Sequence, residues 1–270
     1  MNITFIGSGR LATQLALALS RSGHHILQVF SPTLAHAEAL ARQVNAEATD
    51  ALDRLGLQSD IYVIAIKDDA LEKVTATLCA RMDKEISCGP SKLFLHTAGS
   101  IPMDIFKGKA RRYGVFYPMQ TFSKERMVSF SEIPIFIESS DPQSLEETEA
   151  LARSISKTVV HFSSDQRRYL HLAAVFSCNF ANHCFTLAED ILQEHGLDIS
   201  VMLPLIRETV EKLKEGKPLD NQTGPAARRD LQVMASQEAL LGARPMAQDI
   251  YRLMSESIMQ HLTNGGTVRP

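Results

Sequence analysis

Two glycines and an alanine near the amino terminus have the types and spacing that a dinucleotide-binding loop needs. They form the pattern Gly7-x-Gly9-x-x-Ala12, after a β-branched and aromatic run at residues 3–6 and before a helical pattern. Gly7 allows a sharp turn, Gly9 lacks the Cβ that would hold a pyrophosphate away from the backbone, and Ala12 lets the helix pack closely on the strand. The N–H groups and dipole of the helix then face the phosphates. The residues predicted to form this loop are Gly7, Ser8, Gly9, Arg10, Leu11 and Ala12.

The end of the second predicted strand favours NADP over NAD. It continues as Ser31-Pro32-Thr33, with no carboxylate before Glu38. In such folds an acidic residue here holds the ribose hydroxyls of NAD, and it would repel a 2′-phosphate. Ser31 and Thr33 can instead donate hydrogen bonds to that phosphate, and Arg10 can add a cation. The alternative is that Ser31 and Thr33 cap the next helix, and the two roles are compatible.

Three further segments follow predicted strands and should converge at one edge of the sheet: residues 66–69, 96–100 and 116–121. Ligands of open parallel sheets bind outside the carboxyl ends of the strands, where the strand order reverses. We predict catalytic roles for His96 and Tyr117. A tight structural loop and a structural hydrogen-bonding role for His96 are the alternatives. The residues of this edge predicted to contact the cofactor are Ile66, Lys67, Thr97, Ala98 and Gly99.

A long helical pattern from about residue 165 to 195 supplies a second polar group. At about 100° per residue, one face of roughly 140° collects six side chains. Buried amides and imidazoles require partners, which are substrate groups in a cleft or another subunit at an interface. We predict Asn179 and His183 as catalytic residues. The cysteine and histidine spacing matches no standard zinc pattern, so no metal site is predicted. The six residues of the face are His171, Val175, Cys178, Asn179, Asn182 and His183.

Two regions of different character must position these residues. Strand-like and helix-like segments alternate up to about residue 163, which is typical of an α/β, doubly wound sheet of the Rossmann-like kind. Beyond it the strand signals stop. We predict a dinucleotide-binding domain over residues 1–163 and an all-α substrate and dimerisation domain over residues 164–270. The predicted strands are 3–6, 26–30, 60–66, 93–95, 113–117, 133–137 and 158–162, and the predicted helices after the first are 33–44, 70–81, 142–156, 165–195, 199–215, 225–241 and 247–262.

Composition limits the classes of partner. The 270 residues carry a formal net charge of −3, so there is no basic field for nucleic acid. No apolar run is long enough to cross a bilayer. Four cysteines lack disulfide or zinc spacing and fit a reducing compartment. We expect a cytoplasmic protein that acts on a small molecule. The cysteines are Cys79, Cys88, Cys178 and Cys184.

Five segments occur in order along the chain: GSGRLA from Gly7, AIKDD from Ala65, HTAGS from His96, GVFYPMQTFS from Gly114 and QTGPAAR from Gln222. Together they resemble a bacterial family of NADP oxidoreductases with a Rossmann-like domain and a carboxyl-terminal helical domain of unknown function. That family is similar in architecture to pyrroline-5-carboxylate reductase and the deazaflavin-dependent NADP reductases. The resemblance implies NADP binding and a homodimer through the helical domain, and it implies no particular substrate.

Two departures from related patterns are informative. Relatives often carry an arginine that can hold the 2′-phosphate at the position of Pro32, which has neither charge nor donor. The β-hydroxyacid dehydrogenases share this layout and use a lysine four residues before an asparagine on the long helix. Here Val175 and Cys178 precede Asn179 and Asn182 by four residues. We therefore expect no lysine-based mechanism.

The sequence thus predicts an NADP(H)-dependent oxidoreductase that transfers hydride to or from a C=N or C=O group of a small molecule. The proton would come from His183, Tyr117 or bound water. The lack of a clear acid–base pair leaves a non-catalytic NADP(H)-binding sensor or scaffold as an alternative. Hydride exchange between NADP and a deazaflavin or flavin is a third hypothesis.

Overall fold

The computed structural model of the chain describes residues 1–85, 92–123 and 126–263. Cys88 lies outside these residues. The chain divides into two units, Met1–Cys178 and Asn179–Pro270, which we call the sheet unit and the helical unit. The sheet unit extends past the boundary predicted after residue 163 and includes the first part of the long helical stretch.

Eight strands in the described residues form one sheet. They are β1 Asn2–Ile6, β2 His25–Phe30, β3 Glu47–Thr49, β4 Ile61–Ile64, β5 Leu93–His96, β6 Arg112–Pro118, β7 Ile135–Ser139 and β8 Val159–His161. Their order is β3-β2-β1-β4-β5-β6-β7-β8. The pairs from β3 through to β6 are parallel, β7 is antiparallel to β6, and β8 is parallel to β7. The strand order therefore reverses between β1 and β4, where a crevice for a ligand is expected.

Helices flank the strands of the sheet unit and are the regular elements of the described part of the helical unit. In the sheet unit they are α1 Arg10–Arg21, α2 Leu34–Val44, α3 Asp68–Glu85, α4 Pro142–Arg153 and α5 Ser164–Ala174. A π-helical segment, Val175–Phe180, continues α5 and contains the division between the units. The helical unit then contains α6 Ala181–Glu194, α7 Leu203–Glu211, α8 Pro225–Arg228, α9 Leu231–Leu240 and α10 Pro245–Thr263.

The sheet is covered by apolar side chains on both faces. Alternate residues of a strand point to opposite faces, and β4 shows this clearly. Ile61 and Val63 join one buried cluster with Phe5 of β1, whereas Tyr62 and Ile64 join the other. All four residues of β4 are buried, as expected of a central parallel strand. The predicted α/β, doubly wound fold followed by helices is confirmed.

Several local predictions need correction. The three-residue β3 was missed because it is too short to show a period. The predicted helix 225–241 is two helices, since Arg229 adopts a left-handed conformation with φ of 55°. A capping box begins α5, because the Ser163 hydroxyl accepts the Gln166 N–H and the Gln166 side chain accepts the Ser163 N–H.

The helical unit buries little of its apolar surface within the chain. Ala226 and Ser255 are its buried residues among those the structure describes. Among residues 1–263 outside the undescribed gaps, no helix is both long and apolar enough to span a bilayer. Large apolar side chains of the unit that are exposed include Phe180, Phe185, Ile191, Leu197, Val201, Leu205, Val210, Leu213, Leu231, Leu240, Met246, Leu253 and Met254.

Candidate functional site

The loop between β1 and α1 is shaped by its first glycine. Gly7 has φ of +114°, and a Cβ at this position would lie 2.2 Å from the carbonyl oxygen of Ala65. Its N–H donates to the Phe30 carbonyl at 2.8 Å. Both the backbone conformation and the close approach of the β4 end therefore require glycine here.

The second glycine opens onto empty space. Gly9 precedes α1, and no described atom lies within 4 Å of the position that its Cβ would occupy. No side chain caps α1, and its first turn carries no acidic residue. Ala12 is fully buried and seats the helix on the sheet, while Arg10 is exposed. Free N–H groups, an open approach and no negative charge fit the pyrophosphate of a dinucleotide.

The residues after β2 retain the predicted donors. Ser31 is buried and its N–H donates to the Thr49 carbonyl at 3.1 Å. Thr33 precedes α2 and its side chain makes no capping hydrogen bond, so the capping alternative is not observed for Thr33. The first turn of α2 carries no acidic residue either. The segment presents hydroxyls without a carboxylate.

A cavity of about 300 Å³ lies beside the β2 and β3 ends and was not foreseen. Arg54 is the cation of its lining, and Glu47 and Asp50 are its acids. Sequence reasoning missed this surface because it missed β3, which positions the wall. The residues that line the cavity are Gln28, Leu34, Glu47, Ala48, Thr49, Asp50 and Arg54.

The segments after β4 and β5 lie at the same edge of the sheet and are joined by a hydrogen bond. The Ser100 hydroxyl donates to a carboxylate oxygen of Asp68 at 2.5 Å. Asp68 begins α3. Lys67 is exposed, Ile66 and Ala98 are partly buried, and Thr97 is buried. The predicted convergence of these two segments is therefore present.

His96 is enclosed in the sheet unit. The Ala98 N–H donates to its Nδ1 at 3.2 Å, and its ring stacks on Phe106 with centroids 5.7 Å apart. Burial, aided by the positive charge of Arg167, lowers the pKa of His96 to about 3. The imidazole is fully buried and neutral at pH 7. This geometry favours the structural alternative for His96 and gives its predicted catalytic role no support.

Tyr117 has a partner that the sequence did not identify. Its hydroxyl lies 3.0 Å from Nδ1 of His171 on α5, and the two rings meet edge to face with centroids 6.1 Å apart. Burial raises the pKa of Tyr117; Arg167 opposes the rise, whereas Asp68 and Cys178 add to it. His171 stood on the predicted polar face of the long helix, but no local pattern links it to a tyrosine 54 residues away.

A buried ion pair fixes the helix that carries His171. The Arg167 side chain is 1 % exposed; its guanidinium donates to Glu138 of β7 at 3.2 Å and to the Ile101 carbonyl at 2.5 Å. The Ser164 hydroxyl also donates to Glu138, at 2.5 Å. Arg167 lies one helical turn before His171, so these bonds set the position of that imidazole. A buried arginine on a polar helix gave no signal in the sequence.

A buried glutamine tethers the segment that follows Tyr117. Gln14 of α1 donates to the carbonyls of Ser123 and Arg126 at 2.9 and 3.0 Å. Its side-chain oxygen accepts the Val128 N–H at 3.4 Å. The chain after β6 is thus held on the helix that starts at the dinucleotide-binding loop.

Asn179 and His183 belong to the helical unit, and both are exposed. The predicted polar face assumed a regular α-helix from His171 to His183. The π segment Val175–Phe180 invalidates that assumption, because its bonds span one more residue than those of an α-helix and turn the following residues to different angles. The catalytic roles of Asn179 and His183 stay predictions.

Comparisons with known proteins fit this geometry. The amino-terminal residues 2–87 match the family model "NADP oxidoreductase coenzyme F420-dependent", and residues 133–258 match a domain of unknown function, DUF2520. A solved candidate NADP oxidoreductase from Bacteroides fragilis is 44% identical, with a TM-score of 0.90 over 96% of this chain and 98% of that chain. The chain belongs to this NADP oxidoreductase family. The sequence-based assignment to it is confirmed.

More distant solved structures share the fold of this NADP oxidoreductase family member. The imine reductase of Myxococcus stipitatus in complex with NADP⁺ is 16% identical, with a TM-score of 0.68 over 98% of this chain and 96% of that chain. A pyrroline-5-carboxylate reductase from Coxiella burnetii is 20% identical, with a TM-score of 0.55 over 95% of this chain and 98% of that chain. No curated protein matches the chain significantly.

Proposed function

We propose that the protein is an NADP(H)-dependent oxidoreductase that transfers hydride to or from a C=N or C=O group of a small molecule. The observation that carries the proposal is the open, uncapped amino terminus of α1 behind Gly9. It lies after β1, at the point where the strand order reverses. A bound nicotinamide cofactor supplies the hydride.

The cofactor contacts follow from the order of the strands. The loop at residues 7–12 would hold the pyrophosphate through its N–H groups. Because β4 and β5 are the next strands along the edge, the segments after them would hold the nicotinamide. The contacting residues proposed there are Ile66, Lys67, Thr97, Ala98 and Gly99.

NADP is proposed over NAD because the segment after β2 offers donors and no carboxylate. The hydroxyls of Ser31 and Thr33 would donate to the 2′-phosphate, and Arg10 would supply positive charge. Arg54 in the neighbouring cavity is a second available cation. Together these groups would take the role of the arginine that relatives often carry at the position of Pro32.

The substrate class is proposed from what the protein resembles. The fold is shared with proteins named imine reductase, reductive aminase and pyrroline-5-carboxylate reductase. Each of these names refers to a reaction in which a C=N bond is reduced. Small cyclic imines are therefore the first substrates to test, and carbonyl compounds follow. Asn179 and His183 are retained as proposed catalytic residues on the sequence argument alone.

Calorimetric titration with NADPH and, separately, NADH tests the cofactor. NADPH is expected to bind at least tenfold tighter than NADH, a difference of about 1.4 kcal/mol in binding free energy. The reason is that the hydroxyls of Ser31 and Thr33 and the Arg10 cation would contact the 2′-phosphate. Absence of binding by either cofactor would contradict the proposal. A loss of NADPH absorbance with a panel of cyclic imines and carbonyls then tests turnover. Tight NADPH binding without turnover across the panel would favour the sensor or scaffold.

A homodimer through the helical unit is also proposed. The unit exposes a series of large apolar side chains on several helices, including Leu205, Leu231, Leu240 and Leu253. Monomeric proteins rarely leave such extensive apolar surface in water. A second copy offers the same surface, and two-fold association would cover both. Light scattering of the purified protein measures the mass directly, and a monomer at all concentrations would contradict the proposal.

Hydride exchange between NADP and a deazaflavin is a second proposed function. The observation in its favour is the family model for coenzyme F420-dependent NADP oxidoreductases, which matches residues 2–87. A spectral titration of the protein and NADPH with oxidised F420 tests it. Reduction of F420 would support this function, whereas an unchanged F420 spectrum would eliminate it.

A further inference from the structure

Tyr117 and His171 form a pair of ionisable side chains that the proposed hydride transfer has not used together. Tyr117 is near the carboxyl end of β6, and His171 is on α5; both belong to the sheet unit. The phenol oxygen and Nδ1 are 3.0 Å apart, a hydrogen-bond distance. Tyr117 is 9 % exposed, while His171 is partly buried. The imidazole is therefore the member of the pair with access to a ligand.

Gly99 places this pair against the segment proposed to hold the nicotinamide. A Cβ on Gly99 would lie 2.5 Å from Nδ1 of His171 and 3.1 Å from Cε2 of Tyr117. The backbone after β5 can approach both rings only because Gly99 has no side chain. Thr97 and Ala98, directly before it, are among the proposed cofactor contacts. The His171 imidazole consequently lies beside the segment proposed to hold the nicotinamide.

We propose that His171 is the catalytic proton donor to the reacting nitrogen or oxygen, and that Tyr117 is the positioning residue that holds its imidazole. The inference rests on the proposed oxidoreductase function. His96 is excluded as the donor by its enclosure under Phe106. The proposal adds His171 to the site and assigns Tyr117 an indirect role.

The proton balance follows from the two ring nitrogens. As hydride reaches the carbon, the Nε2–H bond of the His171 imidazolium breaks and a new N–H or O–H bond forms on the substrate. The imidazole is left neutral, with its remaining proton on Nδ1 donated to the Tyr117 oxygen. Solvent returns a proton to Nε2. A hydroxyl both donates and accepts, so Tyr117 can bond Nδ1 whether or not that nitrogen carries a proton.

Nuclear magnetic resonance of ¹⁵N-histidine-labelled protein tests the location without turnover. On saturation with NADP⁺, the imidazole signals of His171 should shift, because its ring lies beside Gly99. The signals of His25 should not shift, because His25 lies at the amino end of β2, whereas the proposed cofactor contacts follow the carboxyl ends of the parallel strands. Replacement of Tyr117 by Phe should change the Nδ1 and Nε2 shifts of His171, since the hydrogen bond between the phenol and Nδ1 is lost. Unchanged His171 signals with NADP⁺ bound would overturn the inference.

Turnover tests the proton transfer, with 1-pyrroline as the imine probe and NADPH as the cofactor. His171→Asn and His171→Gln should each lower kcat about 100-fold, leave the KM for NADPH within about twofold, and regain activity with free imidazole. Tyr117→Phe should lower kcat about tenfold. His25→Gln is the matched control and should equal wild type.

The outcomes separate this inference from the proposed function. Turnover by wild type together with a fully active His171→Asn or His171→Gln would overturn the inference and leave the oxidoreductase intact. A wild type that does not bind NADP⁺ or does not oxidise NADPH with any probe would remove the proposed function and the inference with it. Loss of kcat without imidazole rescue, in a variant with unchanged NADPH affinity and thermal stability, would also count against proton donation.

Discussion

The sheet unit and the helical unit differ in how much of their apolar side-chain surface they bury within the chain. In the sheet unit, both faces of the sheet are covered, and strands such as β4 are completely buried. In the described part of the helical unit, Ala226 and Ser255 are buried, while leucines and phenylalanines on several helices are exposed. The first unit encloses a core around its sheet, and its exposed large apolar side chains include Tyr169, Leu172 and Phe176 near its carboxyl end. The second is rich in large apolar residues, but many of them are exposed in the single chain.

The difference shows where function and assembly are expected to reside. A complete core can hold backbone groups at fixed positions, as the Gly7 turn and the Arg167–Glu138 pair illustrate. Apolar faces left open on helices suit association, because covering them is favourable by about 25 cal/mol for each Å². The proposed cofactor edge thus belongs to the sheet unit, and the proposed partner surface belongs to the helical unit.

The largest expected effect is on association. Leu240 and Leu253 are 84 % and 65 % exposed in the chain, so replacing either by Asp should leave the fold of a single copy intact. If a second copy covers them, a buried carboxylate should weaken the dimer by more than about 100-fold. Light scattering at fixed concentration should show a dimer for wild type and monomers for Leu240→Asp and Leu253→Asp.

The matched control is an exposed apolar residue of the sheet unit. Met127 is 46 % exposed, and Met127→Asp should retain the mass of wild type. If it dissociates the protein as readily as Leu253→Asp does, the partner surface is not confined to the helical unit. The contrast drawn between the two units would then be wrong.

The next effect separates two glycines within the sheet unit. Gly7→Ala should destabilise the fold by about 3 kcal/mol, because its φ is positive and a Cβ would meet the Ala65 carbonyl. Gly9 has φ of −70° and open space around it, so Gly9→Ala should change stability by less than about 0.5 kcal/mol. NADPH affinity should nevertheless fall about 100-fold in Gly9→Ala, since the methyl group occupies the pyrophosphate approach.

Thermal unfolding and calorimetric titration of the two variants check this pair. Loss of stability in Gly9→Ala would show that the open space at Gly9 is needed by the fold. Unchanged NADPH affinity in Gly9→Ala would remove the phosphate role of the α1 terminus.

The sequence predicted the features that depend on neighbouring residues. The glycine turn between β1 and α1 is encoded within residues 7–12, so the spacing of its two glycines indicated it. The buried β4 could be found because an apolar run is a local signal. The doubly wound sheet followed from the alternation of strand-like and helix-like segments.

Features that depend on distant residues were not predictable in the same way. The Tyr117–His171 hydrogen bond joins residues 54 positions apart, and no periodicity connects a strand end to a helix face. Arg167 gave no sign of burial, because arginine is ordinarily exposed and its partner Glu138 lies on β7. The π segment between α5 and α6 changed the polar face of the long helix, and its sequence does not differ from that of an α-helix in any way we can identify.

A smaller effect is expected from the buried imidazole of the sheet unit. The pKa of His96 is lowered to about 3, so between about pH 6.5 and 3 the unfolded chain binds a proton that the folded chain does not. Stability due to this group is present above the unfolded pKa and is lost as pH falls. From about pH 7 to about pH 5 the loss should be about 2 kcal/mol.

His96→Asn isolates this contribution, because its side-chain oxygen can accept the Ala98 N–H as Nδ1 does. Denaturant unfolding of both proteins at the two pH values gives the difference. The variant should lose about 2 kcal/mol less than wild type over this interval. Equal losses would show that the folded state accommodates the charged imidazole, and that the core around Phe106 is less closed than the structure indicates.

The smallest expected effect is on cofactor affinity and concerns Arg10, an exposed charge of the sheet unit. The proposed cofactor contacts there are few and polar, whereas the proposed partner surface of the helical unit is apolar. Arg10→Ala should weaken NADPH binding about tenfold and leave NADH binding unchanged, because only NADPH carries the 2′-phosphate. Arg21→Ala, at the other end of α1, is the matched control and should bind both cofactors like wild type. Equal weakening of NADPH and NADH by Arg10→Ala would mean that Arg10 meets the pyrophosphate instead. Arg54 beside β3 would then be the remaining described cation named for the 2′-phosphate, and Arg54→Ala should remove the NADPH preference.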